Sequence, residues 1–178
     1  MGESDEEDDY PASKWSSHSN LVHVNETIRA ASIGDRPRYP QVWQRLIAHI
    51  RSFQVLLFWE IFAGCAVLTE CMQERGWQCA TLLDTLYHLD FDLLNPFFFS
   101  IVMGLIHEGR FALIHVGPPC SSFSMAVNRF SRYRMRSRAF PRGLPNLPKH
   151  RQEKVDLGNA LCDVALQIAQ AQERAGHY

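Results

Sequence analysis

Apolar positions along this chain follow two different spacings, and each spacing predicts a different type of element. Continuous apolar runs that are too short for a helix are typical of strands buried on both faces. Positions spaced three to four residues apart predict amphipathic helices instead. Strands are therefore predicted over 54–62, 78–83 and 111–116, and helices over 42–50, 66–75, 96–108 and 150–175.

Turn and cap residues separate these elements. Asn95 followed by Pro96 predicts a helix start, because Asn accepts hydrogen bonds from free N–H groups and Pro suits the first turn. Gly76, Gly109 and Gly176 follow predicted helices, where glycine readily ends a helix. The order is strand, helix, strand, helix, strand, long loop, helix. It predicts an α/β fold with a parallel sheet and right-handed crossovers.

Composition places these elements in one folded domain. The chain has 178 residues, of which 46% are hydrophobic, and this fraction excludes a wholly disordered protein. Residues 1–38 are polar, acidic and Ser-rich, so we expect a disordered tail there and a folded domain over 39–178. The acidic start does not resemble a secretory signal, and no apolar run reaches the roughly 18–20 residues of a membrane helix. Five cysteines without a Cys-x-x-Cys pair argue against disulfides or a zinc ribbon, so we expect a soluble, intracellular protein without metal.

The net charge of −1 hides a separation of charge along the chain. Residues 3–9 hold six acids, whereas residues 129–154 hold nine of the eighteen Lys and Arg side chains. A basic segment of this kind can bind a polyanion even when the whole protein is neutral. It can equally be a solvated loop, and composition leaves both interpretations open. The basic side chains are Arg129, Arg132, Arg134, Arg136, Arg138, Arg142, Lys149, Arg151 and Lys154.

The loop over 60–66 follows the first predicted strand, at the end of the sheet where ligands of parallel α/β folds bind. Gly64 lets the backbone approach a ligand closely, and the helix that follows offers free N–H groups. Asp84 ends the second predicted strand, where an acid can accept hydrogen bonds from both hydroxyls of a ribose. On these residues alone, a nucleotide-type site and a tight structural turn both remain open.

A second loop, 117–124, follows the third predicted strand. Its two prolines stiffen the turn and hold Cys120 at the end of the sheet rather than in the core. A thiolate there is a candidate nucleophile when nearby cations or a helix N-terminus favour its charged form. Cys71, Cys79 and Cys162 lack this context and are expected to be small buried hydrophobes.

This chain resembles the DNA (cytosine-5) methyltransferases in two motifs, E-I-F-A-G at 60–64 and G-P-P-C-S-S-F-S at 117–124. The first is similar to the family's S-adenosylmethionine loop, D-L-F-A-G-x-G, and the second to its nucleophile loop, G-P-P-C-Q-x-F-S. Pro-Pro-Cys is the specific match. The resemblance runs from about Phe53 to the C-terminus, the first half of such a catalytic domain. It implies a Rossmann-like S-adenosylmethionine-dependent methyltransferase fold, with an incomplete parallel sheet and flanking helices.

The resemblance also implies a role for each matching residue. Cys120 would attack cytosine C6, which makes C5 reactive enough to accept a methyl group. The base must first leave the duplex, because C6 is out of reach in a stacked helix. The partner implied is cytosine-containing DNA, and the location nuclear if DNA is the substrate in a eukaryote. The implied S-adenosylmethionine-binding residues are Phe62, Ala63, Gly64, Cys65, Asp84, Asp92 and Pro118, with Asp90 competing with Asp92. The implied nucleic-acid-binding residues are Ser124, Arg129, Arg132, Arg134, Arg136 and Arg138.

Three departures from the family pattern bear on activity. Ala66 replaces the second Gly of the cofactor loop, and Ser121 replaces the Gln after the nucleophile. The family's E-N-V or E-N-P motif, whose Glu handles the proton at cytosine N3, would follow the last helix, and the chain ends at Tyr178. We therefore expect an enzyme truncated before its catalytic Glu, with a sheet edge that would pair with a missing C-terminal half. The alternatives are a cofactor- or nucleic-acid-binding module without turnover, a non-functional fragment and a small-molecule methyltransferase.

Overall fold

The computed structural model of this chain describes residues 40–129 and 132–177. The chain divides into two units, Met1–Arg38 and Tyr39–Tyr178, and every described residue belongs to the second. The predicted tail over 1–38 lies outside the described residues. Among the helices of the described part, none has the length and apolar character needed to cross a membrane.

Apart from the second predicted strand, the described residues form the predicted helices and strands in the predicted order. The Asn95 side chain accepts hydrogen bonds from the N–H groups of Phe97 and Phe98, which confirms the predicted helix start. One short helix, between the 117–124 loop and the basic segment, was not predicted, because its five residues are too few to show a periodic pattern. The elements are α1 Gln41–Ser52, β1 Leu57–Ile61, α2 Val67–Glu74, α3 Pro96–His107, β2 Phe111–Val116, α4 Met125–Arg129 and α5 Lys149–Arg174.

The sheet has two parallel strands, with β1 paired to β2 from Leu57 opposite Phe111 to Ile61 opposite Val116. The second predicted strand, 78–83, is reduced to two parallel bridges with β1, through Cys79 and Leu83. β1 therefore lies between β2 and this bridged segment. Because every paired segment runs parallel, their carboxyl ends meet at one edge of the sheet.

The hydrophobic core covers β1, all five of whose residues are buried. The rings of Trp59 in β1 and Phe111 in β2 stack with centroids 4.6 Å apart. Helix α5 packs against α3 and β2, and α2 packs against β1. Each fully buried large side chain stabilises the fold by about 1.5–3 kcal/mol relative to exposure, so the helices hold the short sheet in place. The protein is therefore mixed α/β, with a two-stranded parallel sheet flanked by helices.

Candidate cofactor and nucleophile site

The two loops singled out in the sequence leave neighbouring strands at the same edge of the sheet. Ile61 pairs with Val116 in the parallel register, so both strands reach their carboxyl ends together. The N–H of Gly117 continues this pairing and donates to the carbonyl of Ile61 at 3.1 Å. A Cβ on Gly117 would lie 3.2 Å from the His115 ring and 3.8 Å from the Phe62 carbonyl, so the two loops begin in close contact.

The backbone of the 60–66 loop is unusually turned. Phe62, Gly64 and Ala66 all have positive φ angles, of 59°, 52° and 59°. This left-handed conformation is ordinary for Gly but costs a residue with a side chain on the order of 1 kcal/mol or more. Ala66 stands where the resembling family has Gly, and its φ shows why glycine suits this position. With positive φ at three positions, the 60–66 loop is a tight and strained turn.

Asp84, which directly follows the bridged segment 78–83, forms a hydrogen bond that fixes the 60–66 loop. One carboxyl oxygen accepts from the Gly64 N–H at 3.0 Å, and the other accepts from the Leu86 N–H at 2.9 Å. The Tyr87 hydroxyl donates to the Gly64 carbonyl at 2.8 Å. Desolvation, helped by the nearby negative charge of Asp84, raises the pKa of the Tyr87 phenol, so the phenol keeps its donor proton. Both backbone groups of Gly64 are therefore fixed by residues that follow the bridged segment.

A buried acid in β1 fixes the start of α2. A carboxyl oxygen of Glu60 accepts from the Thr69 N–H at 2.8 Å and from the Thr69 hydroxyl at 2.6 Å. Thr69 lies in the first turn of α2, where N–H groups have no partner within the helix. Glu60 is 6% exposed, so it serves as a structural cap and does not face a ligand.

The loop leaves room for a ligand above Gly64. A Cβ built on Gly64 would meet nothing within 4 Å, so open space lies over the turn. Asp84 is half-buried, and its carboxyl has lone pairs beyond the two bonds it accepts from the backbone. A cavity of about 660 Å³ lies elsewhere, between α1, α2 and the 77–82 segment, and of the 60–66 loop it touches only Ala66. The candidate cofactor site is thus the surface turn at Gly64, beside the Asp84 carboxyl.

The remaining predicted cofactor residues are spread around this turn. Cys65 is exposed beside Gly64, and Pro118 is half-buried in the second loop. A carboxyl oxygen of Asp92 accepts from the Leu94 N–H at 2.9 Å, so Asp92 shapes the turn that leads into α3. The Asp90 side chain lies 3.7 Å from His88.

The second loop carries Cys120 at the surface of the domain. Cys120 is exposed, and its carbonyl accepts from the N–H groups of Phe123 and Ser124, both at 2.9 Å. The Ser124 hydroxyl oxygen accepts from the Ala126 N–H at 3.2 Å and so caps α4. This turn aims the Cys120 side chain away from the core, which is what the nucleophile prediction requires.

The other cysteines differ in part from their expected burial. All five cysteines are free thiols. Cys71 and Cys79 are half-buried, whereas Cys162 is exposed on α5 and not the buried hydrophobe that we expected. Within the described residues, no group of three His, Cys, Asp or Glu side chains could hold a metal ion.

The arginines expected to contact nucleic acid do not share one environment. Arg129, Arg132, Arg134 and Arg138 are exposed and can face a polyanion. The prediction that Arg136 contacts nucleic acid is wrong. This residue is only 6% exposed, and every N–H of its guanidinium donates to a group within the protein. Burial lowers the pKa of Arg136, although an arginine remains charged at neutral pH.

Two site residues had no signal in the sequence. The Asn128 side chain donates to the carbonyls of Ser122 and Ser124 and accepts from the N–H groups of Met135 and Arg136. It therefore joins the second loop to the basic segment. Gly158 in α5 is the other: a Cβ there would lie 2.5 Å from the Ser122 hydroxyl oxygen. A single Asn or a helical Gly is common in any chain, so only the three-dimensional contacts reveal these roles.

Fold and site together define an α/β protein in which two loops leave neighbouring strands at the carboxyl edge of a parallel sheet. Comparison with family models, with characterised proteins and with solved structures gave no match. The assignment of a function therefore depends on the motifs and on the geometry of these two loops.

Proposed function

We propose that this chain is a DNA (cytosine-5) methyltransferase-like protein of Rossmann-like fold, which transfers a methyl group from S-adenosylmethionine to cytosine C5 through Cys120. The observation that carries the proposal is the register of Ile61 opposite Val116. It brings the E-I-F-A-G loop and the Pro-Pro-Cys loop to the same edge of the sheet. A methyl donor and a nucleophile must share one site, and adjacent strand ends supply that arrangement.

The first loop would bind the methyl donor. Asp84 would accept hydrogen bonds from the ribose hydroxyls, and the open space above Gly64 would receive the ligand. The methionine part of S-adenosylmethionine would be lined by Phe62, Ala63 and Cys65. Its adenine would lie near Asp92 and Pro118. S-adenosylmethionine, when bound, supplies an electrophilic methyl group on a sulfonium. Tyr87 and Asp84 keep the Gly64 turn in one shape, so binding would require little reordering of the backbone.

Cys120 would perform the covalent step on the base. Its thiolate sulfur forms a bond to cytosine C6, and the electron pair of the C5–C6 double bond becomes available at C5. C5 would then bond to the methyl carbon as the methyl–sulfur bond of the sulfonium breaks, and S-adenosylhomocysteine would leave as a neutral thioether. Loss of the C5 proton to a water molecule restores the double bond and expels the Cys120 thiolate. The base must be flipped out of the duplex for this attack. The neighbouring phosphates would be held by four exposed arginines, Arg129, Arg132, Arg134 and Arg138.

A second candidate function is a module that binds cofactor or nucleic acid without turnover. The observation that favours it is that the candidate binding features do not involve the thiol. Asp84 and Tyr87 hold the Gly64 turn, and four arginines near the second loop are exposed. Such features would bind a cofactor or a polyanion whether or not Cys120 reacts.

Trapping with DNA that contains 5-fluorocytosine tests the proposal. Fluorine at C5 cannot leave as a proton, so a Cys120 adduct persists after methyl transfer and is seen as a shifted band. We expect an adduct that needs S-adenosylmethionine, is lost in Cys120→Ser and is kept in the matched exposed-thiol control Cys162→Ser. Cofactor binding without an adduct would favour the binding module. If the adduct, cofactor binding and DNA binding are all absent, both functions are excluded.

A further inference from the structure

The side chain of Arg136 is at the centre of a buried network behind the Cys120 loop. Its Nε donates to the Ser122 carbonyl at 3.2 Å, and Nη2 donates to the Ser122 hydroxyl at 2.9 Å and the Val155 carbonyl at 3.1 Å. Nη1 donates to the Pro141 carbonyl at 2.6 Å and to Asn159 Oδ1 at 2.8 Å. All five guanidinium donors are thus bonded to the second loop, the basic segment and α5.

We propose that Arg136 is a positioning residue for the nucleophile loop and holds the turn that carries Cys120 against α5. The proposal rests on the proposed function for the role of the thiol. We call the hydrogen bonds from Arg136 to Ser122 and α5 the clamp. They are a property of the folded chain and can be measured without turnover.

The chemistry of the contact calls for arginine. Its planar fork directs two donors at Ser122 while the remaining donors reach other elements. The guanidinium carbon also lies 3.7 Å from the centroid of the Phe123 ring, a cation–π contact. Lysine has a single charged nitrogen with three donors and could not make this set of contacts. An arginine buried in this way costs desolvation energy, which these bonds offset.

Two neighbouring residues show that the loop is held tightly. Asn128 Nδ2 donates to the Ser122 carbonyl at 3.0 Å, and its Oδ1 accepts from the Arg136 N–H at 2.9 Å. Gly158 provides the space: a Cβ there would lie 2.5 Å from the Ser122 hydroxyl oxygen and 3.2 Å from Arg136 Nη2. Ser122 is itself fully buried.

The clamp reaches Cys120 through the turn. The Cys120 carbonyl accepts from the N–H groups of Phe123 and Ser124, so Ser122 lies inside the same closed turn as the thiol-bearing residue. Releasing Ser122 frees the turn and with it the Cys120 side chain. The Gly64 turn is held separately by Asp84 and Tyr87. Loss of Arg136 should therefore impair the covalent step and leave cofactor affinity unchanged.

Hydrogen exchange and trapping of the full chain test the clamp. Arg136→Met keeps much of the side-chain volume and removes all five donors, whereas Arg136→Lys keeps the charge. Arg138→Met is the matched control for the exchange measurement, because that exposed arginine lies two residues away. We expect the amides of Phe123 and Ser124 to exchange at least about 10-fold faster in both Arg136 variants, with no rescue by Lys. The rate of 5-fluorocytosine adduct formation should fall about 10–100-fold, while the Kd for S-adenosylmethionine stays within about twofold.

The outcomes separate the clamp from the proposed function. Exchange at Phe123 and Ser124 equal to wild type in a folded Arg136→Met overturns the clamp, as does full rescue by Arg136→Lys. If Arg136→Met does not fold, Ser122→Ala decides by the same two amides, with faster exchange at an unchanged Tm supporting the clamp and unchanged exchange overturning it. If wild type forms no adduct but the exchange changes as expected, the clamp stands and the methyltransferase proposal fails.

Discussion

The N–H of Gly64 donates to the carboxyl of Asp84 at 3.0 Å, across 20 residues of sequence. The bond joins the turn after β1 to the end of the segment that bridges β1 on its other side. One acid therefore shapes the candidate cofactor turn and, in the proposed function, would also accept hydrogen bonds from the ligand. The first prediction follows from this double role.

Asp84→Asn should weaken S-adenosylmethionine binding by about 10-fold or more, because hydrogen bonds to a charged acceptor contribute about 1.5–3 kcal/mol. An amide offers one oxygen, so it cannot accept from Gly64, Leu86 and a ribose as the carboxylate can. Titration calorimetry of the folded variant measures the Kd. Asp156→Asn, an exposed acid on α5, is the control and should bind as wild type. Equal Kd values for Asp84→Asn and wild type would remove Asp84 from the site.

The two mid-helix glycines should respond oppositely to alanine. In α3, a Cβ on Gly104 would meet nothing within 4 Å, so Gly104→Ala should stabilise the domain by about 0.5–1 kcal/mol through helix propensity. In α5, a Cβ on Gly158 would clash with Ser122, so Gly158→Ala should destabilise the domain. Urea unfolding measures both. Stabilisation of similar size at both sites would show that the loop does not pack against Gly158 as described.

The ion pair between Arg51 at the end of α1 and Glu108 after α3 should contribute a pH-dependent stability. A hydrogen bond from Arg51, assisted by Arg110, lowers the pKa of Glu108 below its ordinary 4.5. Because the folded-state pKa is depressed, the contribution is present above pH 4.5 and is lost as the pH falls through the folded-state value.

Arg51→Met should therefore lower the free energy of unfolding at pH 7 by about 0.2–1 kcal/mol, a range typical of exposed pairs. The difference from wild type should shrink as the solution is acidified. Arg45→Met, on the same helix, serves as the control. A difference between Arg51→Met and wild type that is constant from neutral to acid pH would show that the pair does not couple stability to protonation.

Binding of the folded chain to duplex DNA should depend on salt through the exposed arginines of the basic segment. Replacing Arg132, Arg134 and Arg138 together by Ala should reduce the slope of log K against log salt by about 2–3, since each phosphate contact contributes about 0.9. Arg174→Ala, at the end of α5 and outside the basic segment, is the control. The interpretation of the segment as a phosphate-binding surface is untenable if the slope of the triple variant equals that of wild type.

Local signals in the chain predicted four of the five described helices and one strand closely. Asn95 and Pro96 mark the start of α3 because capping and ring geometry act over a few neighbouring residues. The 111–116 run became β2 with the same bounds. The 78–83 run forms only two bridges, because a strand also needs a partner in register, and neighbouring residues do not specify one.

The sequence by itself determined the α/β order, the turn at Gly64 and the exposed setting of Cys120 after two prolines, since these depend on short-range pattern and backbone sterics. Only the tertiary structure decided that Ile61 lies opposite Val116. It also decided that Arg136 is buried and donates hydrogen bonds to Ser122, where the sequence predicted a surface cation. An arginine looks the same in the sequence whether its donors face water or protein. Its role is decided by which carbonyls the folded chain brings within hydrogen-bond distance.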